Sequence, residues 1–377
     1  MTAEEYPHKV SRSVRNATDI WCGEGITAEE ESSAMRVYRT TVSKKILFIV
    51  VCIVAAFVVA GISLGIGAYD IGFFECYEII WNHLFGDVND TLRDYIVFEK
   101  RLPRILLGLI SGAGLAVCGC LMQSMLKNPL ADPYTTGISS GAGFGATLAI
   151  TAGLTIVGGE YSLVVNAFIF ALIPMAVIIT VSKLKGASPT TMIMAGIAVM
   201  YIFNAFSTVM KLMADPDALA QLYAWQVGTL GDASWTEIPL VFAVVLAGSV
   251  FIQLFATKIN ILSTGDDNAK AMGVNVENLR IILLMVSTLV VASIVSFTGL
   301  IGFIGMVSPH VARMFVGSDN RFLIPASIMF GASLMIAADT IGRVIIAPAV
   351  LEVGVITAFI GGPLFLYLVL SKKKSVW

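Results

Sequence analysis

Residues 101–145 read RLPRILLGLISGAGLAVCGCLMQSMLKNPLADPYTTGISSGAGFG, and this stretch decides the fold. It opens on a cationic cluster, Arg101 and Arg104, and runs into a long apolar segment studded with small residues. A polar turn with two prolines follows, Lys127-Asn128-Pro129-Leu130-Ala131-Asp132-Pro133, and then a second glycine-rich apolar segment. Glycines recur four residues apart at Gly108/Gly112 and Gly141/Gly145, and again at Gly61/Gly65. In lipid that spacing lets two helix backbones approach closely. Two such helices on either side of a rigid turn are the pattern of a polytopic membrane protein. The close packing serves either plain stability or the walls of a path.

Composition agrees. The chain has 377 residues, 57% hydrophobic and only 13% charged, with a mean hydropathy of +0.85. A soluble domain carries about 25% charged residues, so the bilayer is the expected solvent. A net charge of −2 leaves no electrostatic footprint for nucleic acid. Cys22, Cys52, Cys76, Cys118 and Cys120 lack metal spacing. Cys118 and Cys120 lie roughly 200° apart around a helix and are read as packing residues. Residues 1–43 are too polar and too long for a signal peptide and are read as a disordered cytoplasmic tail. The membrane domain is expected over 44–374.

Apolar segments fall near 46–67, 103–126, 136–157, 163–182, 190–213, 236–257, 280–298, 300–315, 322–345 and 353–371. Each long one approaches the roughly 20 residues that cross a hydrocarbon core; the eighth is short. The expected fold is therefore an all-α polytopic membrane protein with about ten transmembrane helices. With the tail cytoplasmic, thirteen lysines and arginines fall on inner segments, six at outer positions and five in the tail. That bias follows the positive-inside rule and places both termini in the cytoplasm. Segments 103–126 and 322–345 share a Gly-Ala pair (Gly112-Ala113, Gly331-Ala332) and an outer arginine, a hint of internal repetition.

The chemistry of the chain is sparse. His8, His83 and His310 form no metal motif, and no phosphate-binding GxxxxGK[ST] loop occurs. No nucleophile–base pair stands out, so catalysis is not expected and any energy for active transport must come from a partner or an ion gradient. Asp339 is the clearest intramembrane acid, with Arg343 one turn away to neutralise it. The inner loop 258–280, KINILSTGDDNAKAMGVNVENLR, is too hydrophilic for lipid. Asp266 and Asp267 precede the helix formers Ala269, Ala271 and Met272, and Gly265 and Gly273 bracket them. A short surface helix results, serving either as a connector or as a docking element for a partner. Arg101, Arg104 and Arg343 run against the outer charge bias. They either pair with local acids such as Glu99 and Asp339, or meet carboxylates on an external partner.

These residues resemble the FecCD-type (BtuC-like) permeases, the membrane subunits of ATP-binding-cassette importers for iron–siderophore, haem and cobalamin. The likeness rests on Arg101-Leu-Pro-Arg104, the run 111–116, Gln123 and Asn128-Pro-Leu-Ala-Asp-Pro133. It continues through Gly265-Asp266, Gly299-Leu-Ile-Gly-Phe-Ile-Gly305, Ser308-Pro309-His310 with Arg313, Gly317-Ser318-Asp319, Gly331-Ala332, Asp339, Arg343, Glu352-Val-Gly354 and Gly361-Gly-Pro363. It covers roughly residues 45–371. Lys127 stands where the family usually has Arg, Thr136 where Leu is usual, and Ser263-Thr264 replaces an apolar-Leu pair.

The resemblance implies a type II importer fold and a permease subunit of the cytoplasmic membrane, not an enzyme. It implies a homodimer with the path on its two-fold axis, two cytoplasmic ATPase subunits that use the ATP, and an extracytoplasmic binding protein. The loop carrying Gly265, Asp266, Asp267, Ala269, Met272 and Gly273 would dock on the ATPase. Arg101, Arg104 and Arg343 would face glutamates of the binding protein. The helix near 190–213 would line the path, with Ser188 and Thr190 at its inner gate and Asn204, Ser207 and Thr208 along its wall. The expected cargo is an iron chelate, with cobalamin as the alternative. An ion-gradient carrier built on Asp339, or a membrane enzyme, are the competing classes.

Overall fold

Within lipid the backbone has no partner but itself, so apolar segments become helices. The computed structural model describes residues 28–67, 69, 71–347 and 349–370, and among them every regular element is helical. In chain order these are α1 (Ala28–Gly65), α2 (Phe73–Phe85), α3 (Thr91–Asp94), α4 (Leu102–Met125), α5 (Ile138–Ala152), α6 (Ser162–Lys185), α7 (Pro189–Leu212) and α8 (Pro216–Val227). There follow α9 (Ile238–Leu254), α10 (Ala256–Ser263), α11 (Asp266–Ala271), α12 (Val276–Thr298), α13 (Ile304–Val316), α14 (Asn320–Val344) and α15 (Val353–Leu370). A π-helical stretch, Tyr95–Arg101, leads into α4, and a 3₁₀ turn, Pro133–Thr136, leads into α5. From Phe48 onward the chain packs as one unit.

Each of the ten apolar segments holds a helix, but they are unequal as crossings. Six are long and apolar enough alone: α1 from Arg39, α4 with its lead-in, α6, α7, α12 and α14. A seventh arises if α9 and α10, bent by 57°, count as one span. Ile138–Ala152 and Val353–Tyr367 are shorter apolar helices. With 13 residues, α13 is about 20 Å long, well short of a core of about 30 Å. The tail expected over 1–43 lies outside the described residues up to position 27. Its last part, 28–43, belongs to α1 and is helical rather than unstructured.

The helix announced by the opening stretch is the centre of the unit. Its apolar window is 78% buried, against 22% for α1 and 28% for α6 and α7. Small residues make this possible. A Cβ built on Gly112 would stand 2.5 Å from the carbonyl oxygen of Gly331, on α14. One on Gly119 would collide with the backbone of Gly305, on α13. The two Gly-Ala pairs that hinted at repetition therefore bring α4 and α14 together. Likewise, a Cβ on Gly145 of α5 would lie 2.5 Å from the Asn166 carbonyl of α6. Cys118 and Cys120 are fully buried, their thiols against Ser287 O and Asn320 Oδ1.

Between α12 and α13 the chain breaks and turns. Gly299 and Phe303 both adopt positive φ, 67° and 68°. For Phe303 that is an uncommon conformation, held by packing of its ring against Gly361.

Substituting Gly119→Ala should lower stability in detergent by about 1–3 kcal/mol, because the new methyl meets a backbone that cannot yield. Gly143→Ala, where a Cβ meets nothing within 4 Å, should be neutral or slightly stabilising. Thermal midpoints of the two variants, read side by side, check this.

Candidate functional site

A helix of 24 residues spans about 36 Å, so the two ends of α4 lie on opposite sides of the unit. A knot of charges sits at each end.

At the C-terminal end, Lys127 adopts a left-handed φ of 50° as α4 stops, and the Asn128 N–H donates back to the Gln123 carbonyl. The Lys127 Nζ lies 3.0 Å from Asp266 Oδ1. Asp266 starts α11, where its charge also suits the helix N-terminus. From the first turns of α12, Arg280 grips the same carboxylate with both amino groups, at 2.7 and 2.8 Å. Arg280 Nη1 also donates to the Ala187 carbonyl at 2.9 Å. Its guanidinium is almost wholly buried, 1% exposed. The Arg280 hydrogen bonds, aided by Lys127, hold the Asp266 carboxyl down at about 2.

The rest of the loop divides by face. Ala269 is buried, whereas Asp267 is exposed and Met272 is 63% exposed. Gly265 and Gly273, at φ 129° and 79°, supply the backbone turns on either side of α11 that a side chain would strain. Of the six loop residues expected to dock, Asp267 and Met272 thus present a surface, while Asp266 and Ala269 anchor it. Lys127, Arg280 and the Ala187 carbonyl complete the knot and were not anticipated. The signal available was Arg280, an inner cation at the end of the acidic loop; Lys127 lies 139 positions from Asp266 and carried none.

At the other end, Asp339 is fully buried on α14. Arg104 binds it from α4 through Nε at 2.9 Å and Nη2 at 2.8 Å, and Arg343 Nε stands 3.1 Å away. Arg343 Nη1 also donates to Ser63 O and Ile66 O, and Arg101 Nη1 donates to Leu64 O at 2.6 Å. Arg101 donates to Tyr69 O as well. The three arginines expected to face a partner are therefore turned inward. Arg104 and Arg343 pair with the local acid, and Arg101 and Arg343 tie the end of α1 to the lead-in of α4 and to α14 through its carbonyls. Arg104 keeps the most surface, 15% of its side chain, against 7% for Arg343.

The α7 residues also separate. Ser207 lies on the packed face with Met192, Ala195, Val199 and Phe203. Thr190, Asn204 and Thr208 lie on the open face with Met194 and Tyr201. Ser188 is the N-cap of α7, accepting from Thr191 N at 3.1 Å. A cavity of about 670 Å³ lies elsewhere, where the α12–α13 break meets α8 and α15. Tyr134, Ser139 and Gln226 give it polar atoms; Leu300, Phe303 and Phe359 give it apolar walls. None of the five α7 residues lines it, because its walls come from segments distant in sequence.

Residues 42–371 match the model of the FecCD transport family. The chain is 39% identical to a putative ABC transporter permease protein of Methanocaldococcus jannaschii, over 90% of this chain and 98% of that one. It is 35% identical to the hemin transport system permease protein of Yersinia pestis, over 83% and 94%. It is 37% identical to the cobalamin import system permease protein of Halobacterium salinarum, over 74% of each. Among solved structures it resembles an inward-facing conformation of a putative metal-chelate type ABC transporter, with a TM-score of 0.76 at 30% identity, over 86% of this chain and 99% of that one.

Asp266→Asn should destabilise the protein by about 3 kcal/mol at neutral pH, since it leaves Arg280 buried beside a neutral group. The Asp266 carboxyl is depressed when folded, so its contribution is complete above about pH 4 and fades as pH falls toward 2. The gap between wild type and variant should close over that window in pH-dependent unfolding curves.

Proposed function

The chain belongs to the FecCD transport family and is the permease subunit of an ABC importer, not an enzyme; from that premise we propose how it is assembled and what it carries. It is an integral membrane protein whose homologues are ABC permeases. In the proposed assembly two copies form a homodimer in the cytoplasmic membrane, each with ten crossings and both termini inside. Two ATPase subunits, which bind and use the ATP, grip the inner face. A binding protein delivers cargo outside.

The observation that carries the reading is the divided face of α11. Asp266 and Ala269 fasten the helix to the unit while Asp267 and Met272 stand clear. An exposed apolar knob beside a charge, on a helix held by a buried arginine, suits a partner that pushes. The open face of α7, with Met194, Tyr201, Asn204 and Thr208, supports placement against the second copy and along the path. Ser188 and Thr190 then stand at the inner gate, Ser188 by capping the helix. At the outer end Arg104 is the contact for binding-protein acids, while Arg101 and Arg343 hold the rim in shape.

The cargo is an iron chelate, such as a siderophore complex or haem. A cavity of about 670 Å³ falls in the 300–1,000 Å³ range of sites for bulky organic ligands. Its few polar atoms bind such a ligand weakly, which suits passage more than storage. Cobalamin is the alternative cargo, supported by the haloarchaeal relative.

Proteoliposomes holding the complex should take up labelled iron chelate, with cobalamin run in parallel, only when ATP and the ATPase subunits are present. Uptake without the ATPase would sink the reading; uptake of cobalamin alone would move the cargo to the alternative. Met272→Asp combined with Asp267→Lys should weaken ATPase capture roughly tenfold or more, as loss of an interface anchor does. Co-purification at the wild-type ratio would count against α11 as the docking element.

A further inference from the structure

The knot around Asp266 joins more than two elements. Arg280 Nη1 donates both to Asp266 Oδ2, at 2.7 Å, and to the Ala187 carbonyl, at 2.9 Å. Ala187 is 3% exposed and directly precedes Ser188, which caps the first turn of α7. One buried guanidinium thus stands between the start of the docking helix and the start of the path helix. Its geometry is stiff: Nη2 holds the second carboxylate oxygen at 2.8 Å, and Lys127 fixes that same oxygen from the end of α4. A planar fork engaged on three acceptors has little freedom to rotate. With the group 1% exposed, no water can replace a lost acceptor without opening the packing. Any displacement of α11 must therefore drag the 187–188 backbone or break a buried charge-assisted bond.

On the reading above, in which α11 docks the ATPase and α7 lines the path, we propose that Arg280 is the positioning residue that carries movement of α11 to the inner end of α7. Ion pairing with Asp266 alone would hold α11 in place; the bond to Ala187 is what makes the arginine a relay. A lysine at this position keeps the charge but has no fork with which to reach both acceptors at once.

The test uses the complete complex in proteoliposomes, measuring ATP hydrolysed and labelled chelate imported. Arg280→Lys should assemble and hydrolyse ATP, yet import less per ATP by roughly 2- to 30-fold, the range of coupling changes within such networks. Adding Asp266→Glu lengthens the acid to restore the pair, but not the Ala187 bond, so coupling should stay low. Recovery of the wild-type ratio in that double variant, or a normal ratio in Arg280→Lys, overturns the relay. Should the variants fail to assemble, spin labels at exposed Asn268 and Thr190 in an otherwise wild-type complex that still imports give the answer. Their separation within one copy should change by no more than about 2 Å through the ATP cycle; a larger change also overturns it. An unmodified complex that neither hydrolyses nor imports speaks against the importer reading itself, not against this link.

Discussion

Everything in this unit is arranged around the closeness with which α4 meets its neighbours. Gly112 and Gly331 place two helix backbones in contact, and Gly119 and Gly305 do the same about two turns further along α4, against α13. In lipid there is no hydrophobic effect to draw helices together, so contact area and tight packing must do so. Larger side chains would hold α13 and α14 away and lose that contact. With the three helices seated, α4 is shielded along most of its length, while α1, α6, α7, α9 and α15 keep apolar surface for lipid or a second copy.

The same closeness makes the charged ends workable. Asp339 is fully buried, and Arg104 and Arg343 both meet it there, one from α4 and one from its own helix. A buried carboxylate without such partners would be strongly disfavoured. The second knot uses the same device with the signs exchanged: Arg280 is the buried member and Asp266 the partly exposed one. One knot ties α1, α4 and α14 into a rim. The other ties the end of α4, α11, α12 and the Ala187 carbonyl through Lys127, Asp266 and Arg280.

Function follows from the contrast between these rigid ends and what lies between them. The α12–α13 break, with Gly299 and Phe303 at positive φ, leaves irregular backbone inside the unit. Within membrane proteins such backbone is tolerated only where it is packed in protein or lines a cavity, and here it does both. The cavity beside it is walled by α8, α15, the start of α5 and the α4–α5 turn.

Much of this was legible from sequence. Hydrophobic run length located every helix of the unit that carries an apolar segment, because lipid permits nothing else to an isolated run of that kind. Glycine spacing marked α4 and α5 as close-packing helices, and the bracketing Gly265 and Gly273 marked α11. Motif order was enough to point to the family. Tertiary structure alone decided where charged side chains spend their donors. From sequence, Arg101, Arg104 and Arg343 could either pair with local acids or face a partner, and Asp266 opened a surface helix; in the fold they are held by carbonyls and counter-ions from segments up to 280 positions away. It also decided that Ser207 packs inward while Asn204 and Thr208 do not, and that segments far apart in sequence meet to wall the cavity. The physical reason is one of range. Helix formation and membrane insertion are properties of contiguous residues, whereas the pairing of a buried charge depends on which distant helix the packing brings within about 3 Å.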